Sequence, residues 1–249
     1  MIKNKFIKIL LIILILLKLN ICNAKDNKII IAVSSNFLIT IKKIKSKFEH
    51  EHKKCNLLIS SDSTANIYTK IINEAPFHLF ISADKKHPLL LEKKNMILYK
   101  PVTYAIGKIV LWIPNSTNKI KKKIIRTNYK NLSISNPKLS PYGEKTAIIL
   151  KNLKIKSKSD FIYGCNISQT FNFILSKNSE IGFIALSQVI NHNIKKKDFW
   201  KIPQYLYPII EQTLVLLDNS KNNKCANDFF NYMKSEEVKN IIHISGYKI

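Results

Sequence analysis

Short apolar runs alternate with helix-like stripes along residues 29–91. The runs at residues 29–33, 57–60 and 79–82 have the length of buried strands. After the first run, apolar residues recur at spacings of four, three and four, as on one face of a helix: Phe37, Ile41, Ile44 and Phe48. A second stripe around Ile67 and Ile71, and a short helix through Leu91, complete the pattern. This alternation predicts α/β layers.

A second α/β unit follows between two long β-rich runs, residues 104–113 and 207–217. Its predicted elements are a strand at 132–135, a helix at 145–153, a turn at 164–167, a helix at 170–175 and a strand at 181–186. From about residue 224 the chain is helical again, and we expect this tail to pack on the first unit. Two units joined by two crossings predict a two-lobed protein that closes on a ligand about a hinge.

Two polar turns follow the first two predicted strands. One is Ser34-Ser35-Asn36, and the other is the hydroxyl-rich segment at residues 60–64. Each leads into a helix, so unpaired backbone N–H groups and hydroxyls meet at one place, which suits an anion. Either turn alone is better explained as a helix cap than as a binding site.

The positive charge of the chain does not by itself indicate a nucleic-acid partner. The formal net charge is +25, but of the 41 basic residues only Arg126 is an arginine. Recognition of phosphates and bases favours the planar fork of arginine, and the lysine-rich stretches lack interleaved aromatic residues. We therefore expect solvated lysines and no nucleic-acid partner. The length and the 46% hydrophobic content are those of a globular protein.

The first 24 residues have the pattern of a signal peptide. Lys3, Lys5 and Lys8 precede an apolar run at residues 9–17, and small residues favour cleavage after Ala24. We expect a periplasmic protein. An uncleaved N-terminal anchor is the main alternative; a lipoprotein modified at Cys22 is disfavoured by the bulky residue before it.

Three cysteines remain after such cleavage: Cys55, Cys165 and Cys225. Their spacing fits no metal site and their odd number fits no disulfide framework. We predict three small buried residues, with one disulfide plus a free thiol as the alternative. The six histidines form no recognisable catalytic pairing, and no hydrolase, metalloprotease or phosphate-loop motif occurs. We therefore expect no enzyme activity, no cofactor and no site for a free metal cation.

Several longer phrases carry a family resemblance. They include Phe80-Ile81-Ser82-Ala83-Asp84, then Ser135-Asn136-Pro137 followed by Pro141-Tyr142-Gly143, and a closing Ser245-Gly246-Tyr247. From about Lys28 to the C-terminus, the chain resembles the periplasmic molybdate-binding proteins of ABC importers. The resemblance implies a type II periplasmic-binding-protein fold of α/β class, with mixed sheets flanked by helices and two hinge crossings. Lobe I would comprise residues 25–105 and 212–249, and lobe II residues 106–211.

The resemblance also implies a function and a ligand set. The protein would capture molybdate or tungstate as a monomer and deliver it to a permease and its ATPase at the inner membrane. Ser35 and Asn36 would contact the oxyanion through side chains and backbone N–H groups. Thr64 would do so at the start of its helix, and Tyr142 and Ile167 through backbone N–H groups.

Two residues depart from the family pattern. Asp62 stands in the second turn where the family has a small residue, and its carboxylate would repel a dianion unless it points away or caps the helix. His78 replaces an aspartate or asparagine. Two alternatives therefore stay open: a receptor for another tetrahedral oxyanion such as sulfate, and a degenerate receptor with weakened binding.

Overall fold

The computed structural model describes residues 27–116, 129–155 and 160–249. The predicted signal peptide lies outside these residues. The strands are β1 (Lys28–Ser34), β2 (Asn56–Asp62), β3 (Leu79–Ser82), β4 (Val102–Gly107), β5 (Ile109–Trp112), β6 (Asn131–Ser135), β7 (Asp160–Gly164), β8 (Ile181–Ala185), β9 (Phe199–Lys201) and β10 (Ile210–Leu216). The helices are α1 (Leu38–Glu51), α2 (Thr64–Ile72), α3 (Lys86–Lys93), α4 (Pro141–Asn152), α5 (Ile167–Leu175), α6 (Leu186–Asn191), α7 (Lys224–Tyr232) and α8 (Glu236–Ile244).

These strands form two five-stranded mixed sheets, which confirms the predicted fold class. The first has the order β2-β1-β3-β10-β4, and the second β7-β6-β8-β5-β9. In the first sheet β1 is parallel to β2 and β3, whereas β10 is antiparallel to β3 and β4. In the second sheet β6 is parallel to β7 and β8, whereas β5 is antiparallel to β8 and β9. We call each sheet with its helices a lobe, lobe I and lobe II in that order.

Successive side chains of β1 point to opposite faces of the first sheet, and this explains why lobe I has a core on each side of the sheet. Ile29, Ile31 and Val33 belong to a core shared with α1, α7 and α8. Ala32 points to the opposite core, with α2 and α3. The C-terminal helices thus pack on lobe I, as predicted. No helix in the described parts of the chain combines the length and apolar character needed to cross a membrane.

The two long β-rich runs are shorter strands than the sequence suggests. The first run breaks at Lys108, where β4 leaves the first sheet and β5 enters the second. The Lys108 carbonyl accepts a hydrogen bond from Leu186 N (2.9 Å). The second run yields β10 only, and the Tyr207 hydroxyl before it accepts a bond from Ile109 N (3.1 Å). The two connections between the lobes therefore lie side by side.

Several elements of lobe II begin at other residues than the sequence predicts. Helix α4 begins at Pro141, not near 145, because proline is well suited to the first helical turn, where its missing N–H costs nothing. Residues 160–164, ahead of the predicted turn, form β7, and α5 already starts at Ile167. Strand β9 and helix α6 were also missed; both are too short to show a period.

The prediction of three buried cysteines was wrong. Cys55 and Cys225 form a disulfide across 170 residues of chain, and Cys165 is a free, exposed thiol. The alternative of one disulfide plus a free thiol is therefore the one the structure has. Cys55 precedes β2 and Cys225 lies in the first turn of α7, two elements whose proximity is created only by the tertiary fold.

Candidate functional site

The first polar turn lies at the carboxyl end of β1. Ser35 begins a short 3₁₀ turn, Ser35–Phe37, and Ser34 makes no side-chain capping bond to it. Ser35 and Asn36 are both buried. The amides at the start of this turn are therefore not satisfied by a cap, which leaves them as donors in a buried setting.

The second polar turn lies beside the first because β1 and β2 are parallel, with Ser34 in register with Asp62. The hydroxyls of Ser34 and Thr64 are 2.8 Å apart, and Ser34 Oγ also accepts a bond from Ala83 N (3.0 Å). Ser63 caps α2 by accepting from Asn66 N (3.4 Å). The cap therefore bonds the third amide of the helix. The first amide, that of Thr64, remains available to another acceptor.

Lobe II presents two more helix starts in the same way. Strands β6 and β7 are parallel, with Ser135 in register with Gly164, and they lead to α4 and α5. Ser140 gives α4 no side-chain cap. A Cβ at Gly143 would lie 2.2 Å from the Ser135 carbonyl oxygen, so glycine is what lets the start of α4 approach the strand end.

The start of α5 is capped so that its first amide stays available. Asn166 Oδ1 accepts from the amides of Ser168 (3.1 Å) and Gln169 (3.0 Å), the second and third of the helix. The cap does not use the first amide, that of Ile167. Ile167 is buried, and its carbonyl accepts a bond from Gln188 Nε2 (3.1 Å).

Direct hydrogen bonds bring these four chain segments together across the cleft. Asn36 Nδ2 lies 3.5 Å from the Tyr142 hydroxyl, and Ser168 Oγ donates to the Ser35 carbonyl (3.0 Å). Ala65 N donates to the Leu139 carbonyl (3.2 Å). The lobes are therefore closed on each other in this structure. The segments that carry Ser35, Asn36, Thr64, Tyr142 and Ile167 meet at one buried place.

Known proteins resemble this chain along most of its length. The model of the bacterial extracellular solute-binding protein family matches residues 29–248. The chain belongs to this family. This solute-binding protein is 34% identical to the molybdate-binding protein ModA of Azotobacter vinelandii, over 91% of this chain and 92% of the relative. It is 30% identical to ModA of Rhodobacter capsulatus, over 90% and 89% of the two chains.

The fold supports the same relationship. The solved structure of the Azotobacter vinelandii periplasmic molybdate-binding protein superposes with a TM-score of 0.83 and 29% identity. The match covers 89% of this chain and 99% of that one. The resemblance seen in the sequence is therefore confirmed, and the relatives compared are binding proteins.

The Asp62 carboxylate points away from the two turns and toward the helix that follows it, α2. Its carboxylate accepts from Ser63 N (2.7 Å), Asn66 Nδ2 (3.2 Å) and Lys70 Nζ (2.7 Å). Burial by itself would raise the pKa of Asp62, but the bonds from Lys70, Ser63 and Asn66 outweigh it, and the pKa lies below its ordinary value. In this solute-binding protein Asp62 thus holds the capping residue Ser63 and two side chains of α2, and Lys70 neutralises its charge.

His78 lies at the end of the first sheet that is opposite the two turns, and its contacts there are structural. Its Nδ1 accepts a hydrogen bond from Ile30 N (3.0 Å), and its backbone pairs with the Ile30 carbonyl (2.8 Å). Burial lowers the pKa of His78. The imidazole is therefore held neutral as an acceptor next to β1.

Sequence reasoning missed three polar residues that surround Asn36. They are Gln212, Ser187 and Tyr247, all buried and all hydrogen-bonded to Asn36. A signal existed for two of them. Gln212 lies within the apolar strand β10, and Tyr247 closes the Ser-Gly-Tyr phrase of the resemblance. Among the described residues, no cluster of three or more histidines, cysteines or acids could hold a metal ion.

A larger cavity than the one beside these turns lies elsewhere in the described part of the chain. It measures about 740 Å³, is lined by both disulfide cysteines, and has walls of mixed charge that include Lys53, Lys54 and Asp228. A smaller cavity of about 190 Å³ borders Ser35 and Asn36 on the side of α5 and α6. Mixed charge suits no particular ion, so the convergence of helix starts, and not cavity size, locates the candidate site.

Proposed function

We propose that this solute-binding protein captures molybdate, or its congener tungstate, between its lobes and delivers it to an ABC importer. The observation that carries the proposal is the meeting of four helix or turn starts, at which no side-chain cap takes the amide of Ser35, Thr64, Tyr142 or Ile167. The 34% identity to a ModA protein supports the choice of ligand. The ligand is cargo, and the proposal includes neither a cofactor nor catalysis.

The chemistry of the site matches an anion that only accepts hydrogen bonds. Molybdate is a tetrahedral dianion, so it requires donors on every side, and backbone N–H groups, hydroxyls and amides supply them. Ser35, Asn36 and Thr64 are assigned to lobe I of the site. Tyr142 and Ile167 are assigned to lobe II through their backbone N–H groups. The Asp62 carboxylate forms a salt bridge with Lys70 and does not face these hydrogen-bond donors.

Size is the property that separates molybdate from sulfate. Both oxyanions carry two negative charges, and sulfate is the smaller, so charge alone cannot distinguish them. Fixed backbone dipoles in closed lobes hold the donors at set positions, whereas flexible lysines would not. These fixed donors therefore favour molybdate, the larger ion, over sulfate.

The wider setting follows from the same proposal. Residues 1–24 direct export to the periplasm, and the mature monomer presents its ligand to a permease and ATPase in the inner membrane. Lobe I comprises residues 25–105 and 212–249 and lobe II residues 106–211, with the hinge in the β4 and β10 region. No nucleic acid is involved.

A thermal-shift panel tests the choice of ligand. A ligand that binds only the folded state at about 100 times its Kd stabilises the protein by about 2.7 kcal/mol. Molybdate and tungstate should therefore raise the Tm by several degrees, and sulfate and phosphate at equal concentration should not. A Tm raised equally by sulfate would replace molybdate with a less selective oxyanion receptor.

A further inference from the structure

Gln212 occupies a position that packing alone does not explain. It is a fully buried amide in β10, between the apolar core of lobe I and the start of α4 in lobe II. Its Nε2 donates to the Tyr142 hydroxyl (3.1 Å). Its Oε1 accepts from Asn36 Nδ2 (2.9 Å) and from the Tyr104 hydroxyl (2.9 Å).

Tyr247 makes a second bridge through the same asparagine. Its hydroxyl donates to the Asn36 carbonyl (2.8 Å) and lies 3.0 Å from Ser187 Oγ. It also accepts from Asn36 Nδ2 (3.1 Å). Ser187 belongs to α6 of lobe II and also donates to the Asn36 carbonyl (3.2 Å). Asn36 of lobe I is therefore held against lobe II on two sides.

The polarity of this cluster fixes the direction of its amides. If the Gln212 amide were flipped, its Nε2 would face Asn36 Nδ2, donor against donor, so the observed orientation is the one that pairs both NH₂ groups with acceptors. Burial raises the pKa of Tyr104, Tyr142 and Tyr247 well above ordinary values, so the three hydroxyls keep their protons at neutral pH. The cluster is neutral and does not titrate there.

Gly107 provides the space for this contact. A Cβ at Gly107 would lie 2.4 Å from the Tyr142 hydroxyl and 2.6 Å from Gln212 Nε2. Even an alanine would force the two groups apart. The absence of a side chain at this position of β4 therefore leaves room for the Tyr142–Gln212 hydrogen bond.

We propose that Gln212 and Tyr247 are positioning residues that orient Asn36 and latch lobe II against lobe I. Their bonds to Tyr142 and Ser187 form only when the lobes close. The latch therefore stabilises the closed state and slows the release of a bound oxyanion. The identity of that oxyanion rests on the proposed function, but the coupling between the latch and closure does not.

Tyr142→Phe is the sharpest test. It keeps the buried ring and the backbone N–H assigned to the ligand, and it removes only the hydroxyl that Gln212 holds. We expect molybdate to dissociate about tenfold faster, because one buried hydrogen bond of the closed state is lost, with an association rate changed less than about twofold. Stopped-flow fluorescence of the tryptophans measures both rates. An unchanged dissociation rate would overturn the proposal.

A double-mutant cycle separates the latch from general destabilisation. Gln212→Leu removes the partner amide, and the double variant should release molybdate little faster than the worse single variant. If the effects of the two substitutions on the dissociation rate were strictly additive, Tyr142 and Gln212 would not act through a shared hydrogen bond. Should Gln212→Leu not fold, Tyr142→Phe alone decides. The matched control is Tyr205→Phe, whose hydroxyl is exposed, and which should keep the rates of the unmodified protein.

Hydrogen exchange without ligand keeps this test independent of the proposed function. The Ala65 amide bonds to the Leu139 carbonyl across the cleft, so its exchange reports opening of the lobes. It should exchange faster in Tyr142→Phe and Gln212→Leu than in Tyr205→Phe. Equal exchange in all three would refute the latch, whereas failure of the parent protein to bind any oxyanion would refute only the proposed ligand.

Discussion

The amide of Ala65, in the first turn of α2, donates a hydrogen bond to the carbonyl of Leu139, in the loop before α4, at 3.2 Å. This bond joins the two lobes directly beside the proposed ligand residues. It places the start of a lobe I helix against the start of a lobe II helix. The helix starts are thus held together by the protein itself, and the binding predictions below follow from that arrangement.

Loss of a donor from the first lobe should weaken binding. Asn36→Ala and Thr64→Ala should each reduce affinity for molybdate about ten- to a hundredfold. Thr64→Ala removes a hydroxyl whose charge-assisted hydrogen bond contributes roughly 1.5–3 kcal/mol. Asn36→Ala removes the side chain through which Gln212 and Tyr247 hold the first turn in place. Thr64→Ser is the control, because it keeps the hydroxyl. Titration calorimetry measures the three affinities. Unchanged affinity in both alanine variants would mean that the two turns only cap their helices.

Asp62 should not oppose the ligand. Because its carboxylate is bonded to Lys70, Ser63 and Asn66, Asp62→Asn should change molybdate affinity less than about twofold. A clear gain in affinity would instead show that the carboxylate repels the dianion.

The same carboxylate should matter for stability in acid. Its folded pKa is below the ordinary value, so its contribution is complete above the unfolded pKa of about 3.9 and is lost as the pH falls through the folded pKa. Urea unfolding at pH 7 and pH 3 should therefore show a smaller loss of stability in Asp62→Asn than in the parent. Equal losses in the two proteins would exclude this contribution.

His78 should make folding stability depend on pH nearer to neutrality. Its folded pKa lies below the ordinary value of 6.5. The unfolded chain therefore takes up the proton first, and stability declines as the pH falls from about 6.5 through the folded pKa. His78→Asn retains an acceptor for Ile30 N–H and should flatten this part of the profile. Urea midpoints between pH 5 and 8 measure it, and identical slopes would contradict the assignment.

The disulfide should contribute strongly to stability because it closes a long loop. Reducing Cys55–Cys225, which spans 170 residues, should lower the free energy of unfolding by about 2–4 kcal/mol. The oxidised and reduced proteins in this comparison should both carry Cys165→Ser. In the native mature chain, a thiol reagent should titrate one thiol, that of Cys165. Three reactive thiols would contradict the pairing.

Local patterns predicted the parts of the fold and site that follow directly from the chain. Apolar runs predict the strands, and the polar turn after each parallel strand, together with the resemblance, predicts Ser35, Asn36 and Thr64 as ligand residues. The start of α4 was set four residues late, because the apolar stripe becomes visible only after the glycine and charged residues that follow Pro141.

The rest depends on contacts between residues far apart in the chain. Gln212 and Tyr247 lie 176 and 211 positions from Asn36, so the local signals that mark them do not identify Asn36 as their partner. The Cys55–Cys225 pairing is of the same kind. An isolated glutamine in an apolar strand indicates a buried polar contact, but the sequence cannot name its partner.

Titration calorimetry of the mature chain with molybdate, tungstate, sulfate and phosphate tests the central claim most directly. The account predicts one molybdate or tungstate bound per chain, with sulfate and phosphate far weaker. No binding of any of the four oxyanions would contradict it.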